Sequence, residues 1–220
     1  MPKQKVSKIV TPNIPSALTT LDLNHEIEEG QYYSINIVEN NLIKNISGDK
    51  VSFEKCVFKN VSFENVSFRN IELTDVCFEK CELINVDFSH AIIHRVMIKE
   101  CKLLGIDLSA SSFRNVIFDH CLTDYSSFNF SNFKQVQFKN CSLCNADFYE
   151  SVFKNLTFTN CNINQANLGK TNLKEIDLSS CFFEDLTVST QELQGCIISP
   201  EQAIAFVKAL GLTVKEEDKI

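Results

Sequence analysis

The sequence predicts a repeat architecture, one elongated domain assembled from short stacked units, and three observations predict it. Large apolar residues recur at every fifth position from Phe53 to Ile198, with only Thr123 breaking the series. The residue two before each is small or of medium size, as in Val51, Cys56, Val61, Val66, Ile71, Val76 and Cys81, while the positions between are mostly polar. A longer period runs inside the first: Cys81, Cys101, Cys121, Cys141, Cys161 and Cys181 each follow the last by twenty. A step of five matches neither the helical nor the strand period, which excludes a plain amphipathic element.

The unit resembles that of the pentapeptide-repeat family, roughly Ala-(Asp/Asn)-Leu-X-X, best at Ala146-Asp147-Phe148, Ala166-Asn167-Leu168 and Val86-Asp87-Phe88. The resemblance implies an all-β solenoid, a right-handed quadrilateral β-helix in which each pentapeptide makes one side and four make a coil. The central residue and the one two before it point inward; the other three point out. On that geometry the six thiols stack on one inner side. So do Val76, Val96, Val116, Val136, Leu156 and Ile176, and the hydroxyls of Ser111, Ser131, Ser151 and Thr171. With coils at the strand spacing of ~4.8 Å, residues 51–198 make a rod roughly 36 Å tall.

Taken in order, residues 1–32 lack the period and are punctuated by Pro2, Pro12 and Pro15. They read as an N-terminal cap in which Leu18, Leu21, Leu23 and Ile27 cover the first coil, since solenoid ends otherwise expose apolar core and strand edges. Residues 33–198 form the β-helix. Near its start Tyr32, Ile37 and Leu42 step by five but one residue out of frame with Phe53, which predicts a register shift within 43–50 with Gly48 as pivot. From 51 to 198 there is no insertion, so no projecting loop is expected. Residues 199–214 change grammar: Ser199 as N-cap, Pro200 in the first turn and Gln202 completing a capping box start a helix. Ala203, Ile204, Phe206, Val207 and Leu210 give it an apolar face. Gly211 ends it, residues 212–214 read as a short strand, and 215–220 as a solvated tail. The helix is expected to cap the last coil. Ile204, Phe206, Val207 and Leu210 are the expected homodimer contact, because so apolar a helix has more than one face to cover.

The net charge of −7 and pI of about 5.2 argue against direct nucleic-acid binding. No stretch is long enough to span a bilayer, and the Lys3, Lys5, Lys8 start lacks the apolar run of a signal peptide, so a cytoplasmic location is expected. The ten cysteines then read as reduced apolar fillers. Stacked parallel thiols do not readily reach the ~90° torsion of a disulfide. Cys141 points in and Cys144 out, so the pair shares no ligand. The histidines, His25, His90, His94 and His120, belong to no ligand-spaced cluster. With no glycine-rich phosphate loop, no nucleophile elbow and no concave pocket expected, the reading is a non-enzymatic protein without cofactor or metal.

Outward residues sort by charge. One column carries Asp87, Asp107 and Asp147; the neighbouring side carries Glu64, Glu82, Asp124, Glu184 and Asp185. These eight acids are the expected partner-binding surface, although Asp and Asn before a central residue also bond the local backbone. Another side stacks Arg114, Lys134, Lys154 and Lys174, with His94 in the same column. A further column alternates Lys59, Glu79, Lys99, Asp119 and Lys139, a self-compensating ladder.

Residues 199–214 resemble the C-terminal helix and strand of the Qnr-type quinolone-resistance proteins, in particular the chromosomal type of Gram-positive bacteria. Pro12-Asn13-Ile14-Pro15, His94-Arg95-Val96, Phe118-Asp119-His120-Cys121 and Asp124-Tyr125-Ser126-Ser127-Phe128 are similar too. The resemblance implies a DNA-mimicking dimer, joined at the C-terminal end, that binds DNA gyrase and topoisomerase IV and modulates or protects them against fluoroquinolones. A structural interaction module with an unrelated partner is the alternative. The chain departs from the Gram-negative proteins, whose projecting loops are tied to drug protection, and its basic column departs from a uniformly anionic surface. The partner is therefore expected on the acidic sides.

Overall fold

The computed structural model describes residues 8–23, 27–209 and 213. Thirteen strands precede one helix: Thr19–Thr20 (β1), Tyr32–Ser34 (β2), Asn36–Glu39 (β3), Leu42–Ser47 (β4), Ser52–Glu54 (β5), Val57–Lys59 (β6), Ser62–Ser67 (β7), Glu72–Glu79 (β8), Glu82–Leu83 (β9), Ile92–Lys99 (β10), Ser112–Asp119 (β11), Asn132–Lys139 (β12), Val152–Thr159 (β13) and Pro200–Ala209 (α1). Every strand pairing is parallel.

The backbone closes a four-sided coil. At every fifth residue from Ile35 to Glu175, φ is positive, and Gly105 holds the one glycine place in that series. Strand partners from β2 onward are offset by twenty, as in Ile92↔Ser112, Ser112↔Asn132 and Asn132↔Val152. Sides of five residues and an offset of twenty leave four corners per turn. Each left-handed corner costs an ordinary residue about 1–2 kcal/mol, least for Asn, the commonest residue there. The ladder offsets that cost: corner N–H groups donate to the next coil, as Asn60 does to the carbonyl of Glu79 and Asn140 to that of Thr159, both at 2.9 Å.

We number the sides from the pentapeptides 51–55, 56–60, 61–65 and 66–70. The long strands β8 and β10 to β13 each cover the first and second sides and bend at the corner between them, where Asp75, Arg95, Asn115, Gln135 and Asn155 sit.

The core is built as the periodicity requires. Stacked rings run up the rod, with Phe118 on Phe138 at 4.5 Å, Phe113 on Phe133 at 4.7 Å and Phe128 on Phe148 at 4.9 Å between centroids. All six cysteines of the twenty-residue column are buried, and all ten cysteines are free thiols. Burial pushes the Cys181 thiol up to about 12. The serine column forms a hydroxyl zip: Ser111, Ser131, Ser151 and Thr171 each accept the backbone N–H of the residue twenty before, at 2.8–3.3 Å. Ser131, Ser151 and Thr171 also donate to the carbonyls of Leu108, Phe128 and Phe148. Thr123 is fully buried because its Oγ1 donates to the carbonyl of Ser142 at 2.7 Å. Among the described residues no buried side-chain polar atom lacks a partner.

The expected register shift near Gly48 does not occur. Tyr33, Val38 and Ile43 are the buried central residues, Gly48 is the next and Phe53 follows, with corners at Ile35, Asn40, Asn45 and Lys50 in unbroken step. Tyr32 and Leu42 face out. The frame was ambiguous in sequence because each inward residue has an apolar neighbour just before it (Tyr32-Tyr33, Ile37-Val38, Leu42-Ile43). Gly48 is no pivot. It brings no side chain to its central position, and Ile27 fills the space, its Cγ2 3.3 Å from where a Cβ would stand.

Leu23 and Ile27 are buried and Leu21 packs against the core, so they cover the first coil, while Leu18 is only half-buried. Residues 10–13 do not sit on the end. They form a strap along the corner between the first and second sides, where the N–H of Val10 donates to Asn115 Oδ1 at 3.1 Å and that of Asn13 to Asp75 Oδ1 at 2.9 Å. The strap then feeds β1, which pairs with β3 at an offset of seventeen, Thr19↔Asn36.

At the other end the capping box is present. The N–H of Ser199 donates to Gln202 Oε1 at 2.8 Å, and the N–H of Gln202 to Ser199 Oγ at 3.3 Å. Gln202 Nε2 donates to the carbonyls of Leu178 and Cys181, so the helix closes the last coil by hydrogen bonds as well as by apolar contact. Leu210, Gly211, the proposed strand apart from Thr213, the 215–220 tail and His25 lie outside the described residues.

Candidate partner-binding surface

The offset of twenty sorts every outward side chain onto a column, and the columns onto sides of different charge. The third side carries Glu64, Glu82, Asp124, Glu184 and Asp185 against Lys44 and Lys102. The adjoining fourth side carries Asp49, Asp87, Asp107, Asp147 and Glu150 against Lys50, Arg69 and Lys170. The eight expected acids thus occupy two neighbouring sides.

Their chemistry differs. On the fourth side the carboxylates serve the backbone: Asp87, Asp107 and Asp147 each accept the N–H two residues on, from Ser89, Ser109 and Tyr149, at 2.9–3.0 Å. This is an Asx turn, repeated in these three coils of the fourth side. Burial works against the charge of Asp87. The bonds from Ser89 and Ser67 and the nearby Arg69 outweigh it, holding the carboxyl below its usual range. Asp147 also accepts Asn167 Nδ2 at 2.9 Å and Asn129 Nδ2 at 3.3 Å. On the third side Asp124 accepts the N–H of Cys144 at 2.8 Å, and Glu82 pairs with Lys102 at 2.7 Å. Glu64, Glu184 and Asp185 are exposed and make no ion pair among the described residues.

Sequence reasoning missed the apolar part of this surface. Leu122, Tyr125 and Phe130 are 43%, 70% and 52% exposed within one half-coil, and flank Asp124. Phe130 meets Tyr149 edge to face at 5.8 Å, and Lys170 lies over the Tyr149 ring at 4.9 Å. The signal was available: large apolar residues at outward positions of the repeat.

Five-residue sides, left-handed corners and the offset of twenty are the geometry of a pentapeptide repeat. A model of the pentapeptide repeat region matches residues 71–141 and 131–200, and a model described as pentapeptide repeats (8 copies) matches residues 52–89. The chain belongs to the pentapeptide-repeat family.

Solved structures similar to this pentapeptide-repeat protein include a trypsin-treated variant of QnrB1, a plasmid-mediated fluoroquinolone resistance protein. It shares 16% identity at a TM-score of 0.42, over 86% of this chain and 100% of that one. A second QnrB1 variant shares 18% at 0.38, over 89% and 95%. HetL, involved in heterocyst differentiation regulation in the cyanobacterium Nostoc sp. strain PCC 7120, shares 12% at 0.39, over 77% and 90%. No curated protein matches the chain in sequence. No role passes from these proteins to this chain at such identities.

Of the expected dimer residues of this pentapeptide-repeat chain, Phe206 packs against Phe183 with ring centroids 5.4 Å apart, on the end of its own rod. Val207 is half-buried and Ile204 is 44% exposed, so among the described residues of that set Ile204 is the one facing solvent. Among the described residues no group of His, Cys, Asp and Glu converges as a metal site, and no helix is long and apolar enough to cross a membrane.

Proposed function

We propose that this protein is a non-enzymatic interaction module, a partial mimic of DNA that acts in the cytoplasm on type II topoisomerases. It would bind DNA gyrase or topoisomerase IV through the third and fourth sides and alter their response to fluoroquinolones. The observation that carries the reading is the excess of acids over bases on two adjoining sides of the rod, five against two on the third and five against three on the fourth, with the Qnr-like residues of 199–214 in support. DNA presents one charge per ~1.7 Å of axis. The acidic sides are far sparser, so binding is expected to be weaker than that of a duplex and to fall with salt. The unbroken corner series leaves no projecting loop between Ile35 and Glu175, and drug protection should accordingly be slight. The active form is a homodimer, with Ile204 in the contact.

The test is supercoiling and drug-induced cleavage by purified gyrase with ciprofloxacin, titrated with this protein. A dose-dependent change in either supports the reading; no change at any ratio rejects it. A second reading, an interaction module with an unrelated partner, is favoured by Leu122, Tyr125 and Phe130. Exposed aromatic anchors of that kind suit an ordinary protein interface better than a duplex mimic. Capture of an unrelated protein from lysate, lost in Tyr125→Ala, would decide for it.

A further inference from the structure

The corner between the first and second sides holds a peptide backbone, and the peptide is the chain's own. Strap residues 10–13 lie within the segment 8–18, which precedes the first strand, β1. Among the described residues two hydrogen bonds seat this segment on the rod, and both use its backbone. The N–H of Val10 donates to Asn115 Oδ1 at 3.1 Å and that of Asn13 to Asp75 Oδ1 at 2.9 Å. The acceptors are corner side chains two coils apart, about 9.6 Å at the coil spacing of ~4.8 Å. The donors are three residues apart, about 10 Å in an extended chain. The backbone between them therefore runs extended along the rod rather than around it. Pro12 and Pro15 suit that path, since neither has an N–H for the corner to satisfy and each keeps the residue before it extended.

Recognition of the strap is built into the corner. Asp75 and Asn115 stand at outward positions of the repeat, yet both are buried, while Asn155 and Glu175 in the same column are exposed. Between the two acceptors, Arg95 donates to both oxygens of Asp75, from Nε to Oδ1 at 2.7 Å and from Nη2 to Oδ2 at 2.6 Å. That pair fixes the carboxylate, and Oδ1 accepts the N–H of Asn13 as well.

The segment itself is lightly held. None of its side chains is buried; Ile9, Pro12, Ile14, Pro15 and Leu18 are half-buried and the rest exposed. A segment that buries so little apolar surface opens at a lower free energy than the rod beneath it. Opening strands no charge, because Arg95 stays on Asp75 and water takes the place of the two N–H groups.

We propose that the corner track of Asp75, Arg95 and Asn115 binds an extended, proline-stiffened peptide segment in trans, and that the strap is the lid that keeps it shut. The occupant is defined by the segment seated there: free N–H groups three residues apart, with proline between them. In cis the strap is present at an effective concentration on the millimolar scale, so a free segment gains the track only when the strap lifts. The track lies diagonally opposite the corner that the acidic third and fourth sides share, and the proposal does not depend on the topoisomerase reading.

The experiment is fluorescence anisotropy of the full chain with a fluorescein-labelled peptide of residues 8–18, read beside hydrogen exchange by mass spectrometry. The variant Val10→Pro/Asn13→Pro removes both strap donors and leaves every side chain of the rod in place. Expected are faster exchange of residues 8–18 in this variant with the rod unchanged, saturable binding of the peptide to it, and binding about tenfold weaker or more to wild type, whose strap competes. A peptide carrying the same two prolines, and one of scrambled sequence, should each bind the variant about tenfold more weakly or worse. Adding Asn115→Ala to the variant should weaken the 8–18 peptide severalfold. Absence of saturable binding to the variant overturns the proposal, as does wild-type protection of residues 8–18 in it. Equal binding to wild type, an unchanged affinity on adding Asn115→Ala, or equal binding of the proline or scrambled peptide overturns it too, because the peptide would then sit elsewhere than on the track.

Discussion

Arg95 holds Asp75 from one coil above, with Nη2 2.6 Å from Oδ2 and Nε 2.7 Å from Oδ1. The N–H of Asn13 in the strap closes a third side of the same carboxylate at 2.9 Å. The Asp75 side chain is 4% exposed and that of Arg95 28%. A corner aspartate, an outward position in this repeat, is therefore buried by chain that lies outside the repeat.

Replacing Arg95 with Leu leaves a buried carboxylate with only backbone support. The expected loss is about 3 kcal/mol, the low end for a broken buried pair because Arg95 stays part-exposed; urea denaturation measures it. The bond from Arg95 holds the Asp75 carboxyl below its usual range. A depressed folded value contributes stability that is complete above the unfolded pKa of about 3.9 and is lost as the pH falls through the folded value. Wild type should thus lose its advantage over Arg95→Leu below about pH 4. An advantage unchanged at pH 2 would remove the ion pair from the explanation.

Gly48 and Ile27 share one volume. A Cβ on Gly48 would stand 3.1 Å from Val51 Cγ2 and 3.3 Å from Ile27 Cγ2. Gly48→Leu should cost about 1–3 kcal/mol by overpacking and Ile27→Ala about 2–4 kcal/mol by the cavity it leaves. The double variant should be more stable than the two losses summed, by about 1 kcal/mol or more. Strict additivity in a double-mutant cycle would place the two side chains in separate volumes.

Gln202 joins the helix to the rod by two bonds and closes its cap with a third. Gln202→Leu leaves the carbonyls of Leu178 and Cys181 and the N–H of Ser199 without their partner, and should cost about 3 kcal/mol. Ser199→Ala removes one cap bond and should cost about 1 kcal/mol. Equal losses in chemical denaturation would show that the contacts to the last coil contribute nothing beyond the cap.

The thiols should separate by exposure. Cys77, Cys144 and Cys196 are half-buried and the other seven buried. Burial pushes Cys77 and Cys196 up to about 11, so their thiolates are scarce at pH 8. In native protein Ellman's reagent should reach Cys144 first and these two slowly. The seven others should react only on addition of denaturant. Fast native labelling of Cys121 or Cys141 would contradict a closed core.

The period of five and the cysteine period of twenty were enough to place nearly every inward side chain from 51 to 183. Each unit repeats the same local choice, and a ladder with a fixed offset turns that choice into a column. The offset also made Arg95 and Asp75 readable as neighbours, although nothing in the spacing said that the pair would be buried. The fourth-side Asx turns were readable as well, because Asp87, Asp107 and Asp147 bond within two residues of themselves.

What the sequence by itself determined is everything that recurs: the sides, the corners, the stacked rings and thiols, and the division of charge among the faces. Repetition averages away local ambiguity. The structure alone decided what happens once: the frame at 33–48, Ile27 filling the space beside Gly48, the strap over Asp75, and Phe206 turned onto Phe183. The frame at 33–48 is set by the ladder to the next coil; the other three rest on contacts between segments with no common period, which only the closed solenoid brings together.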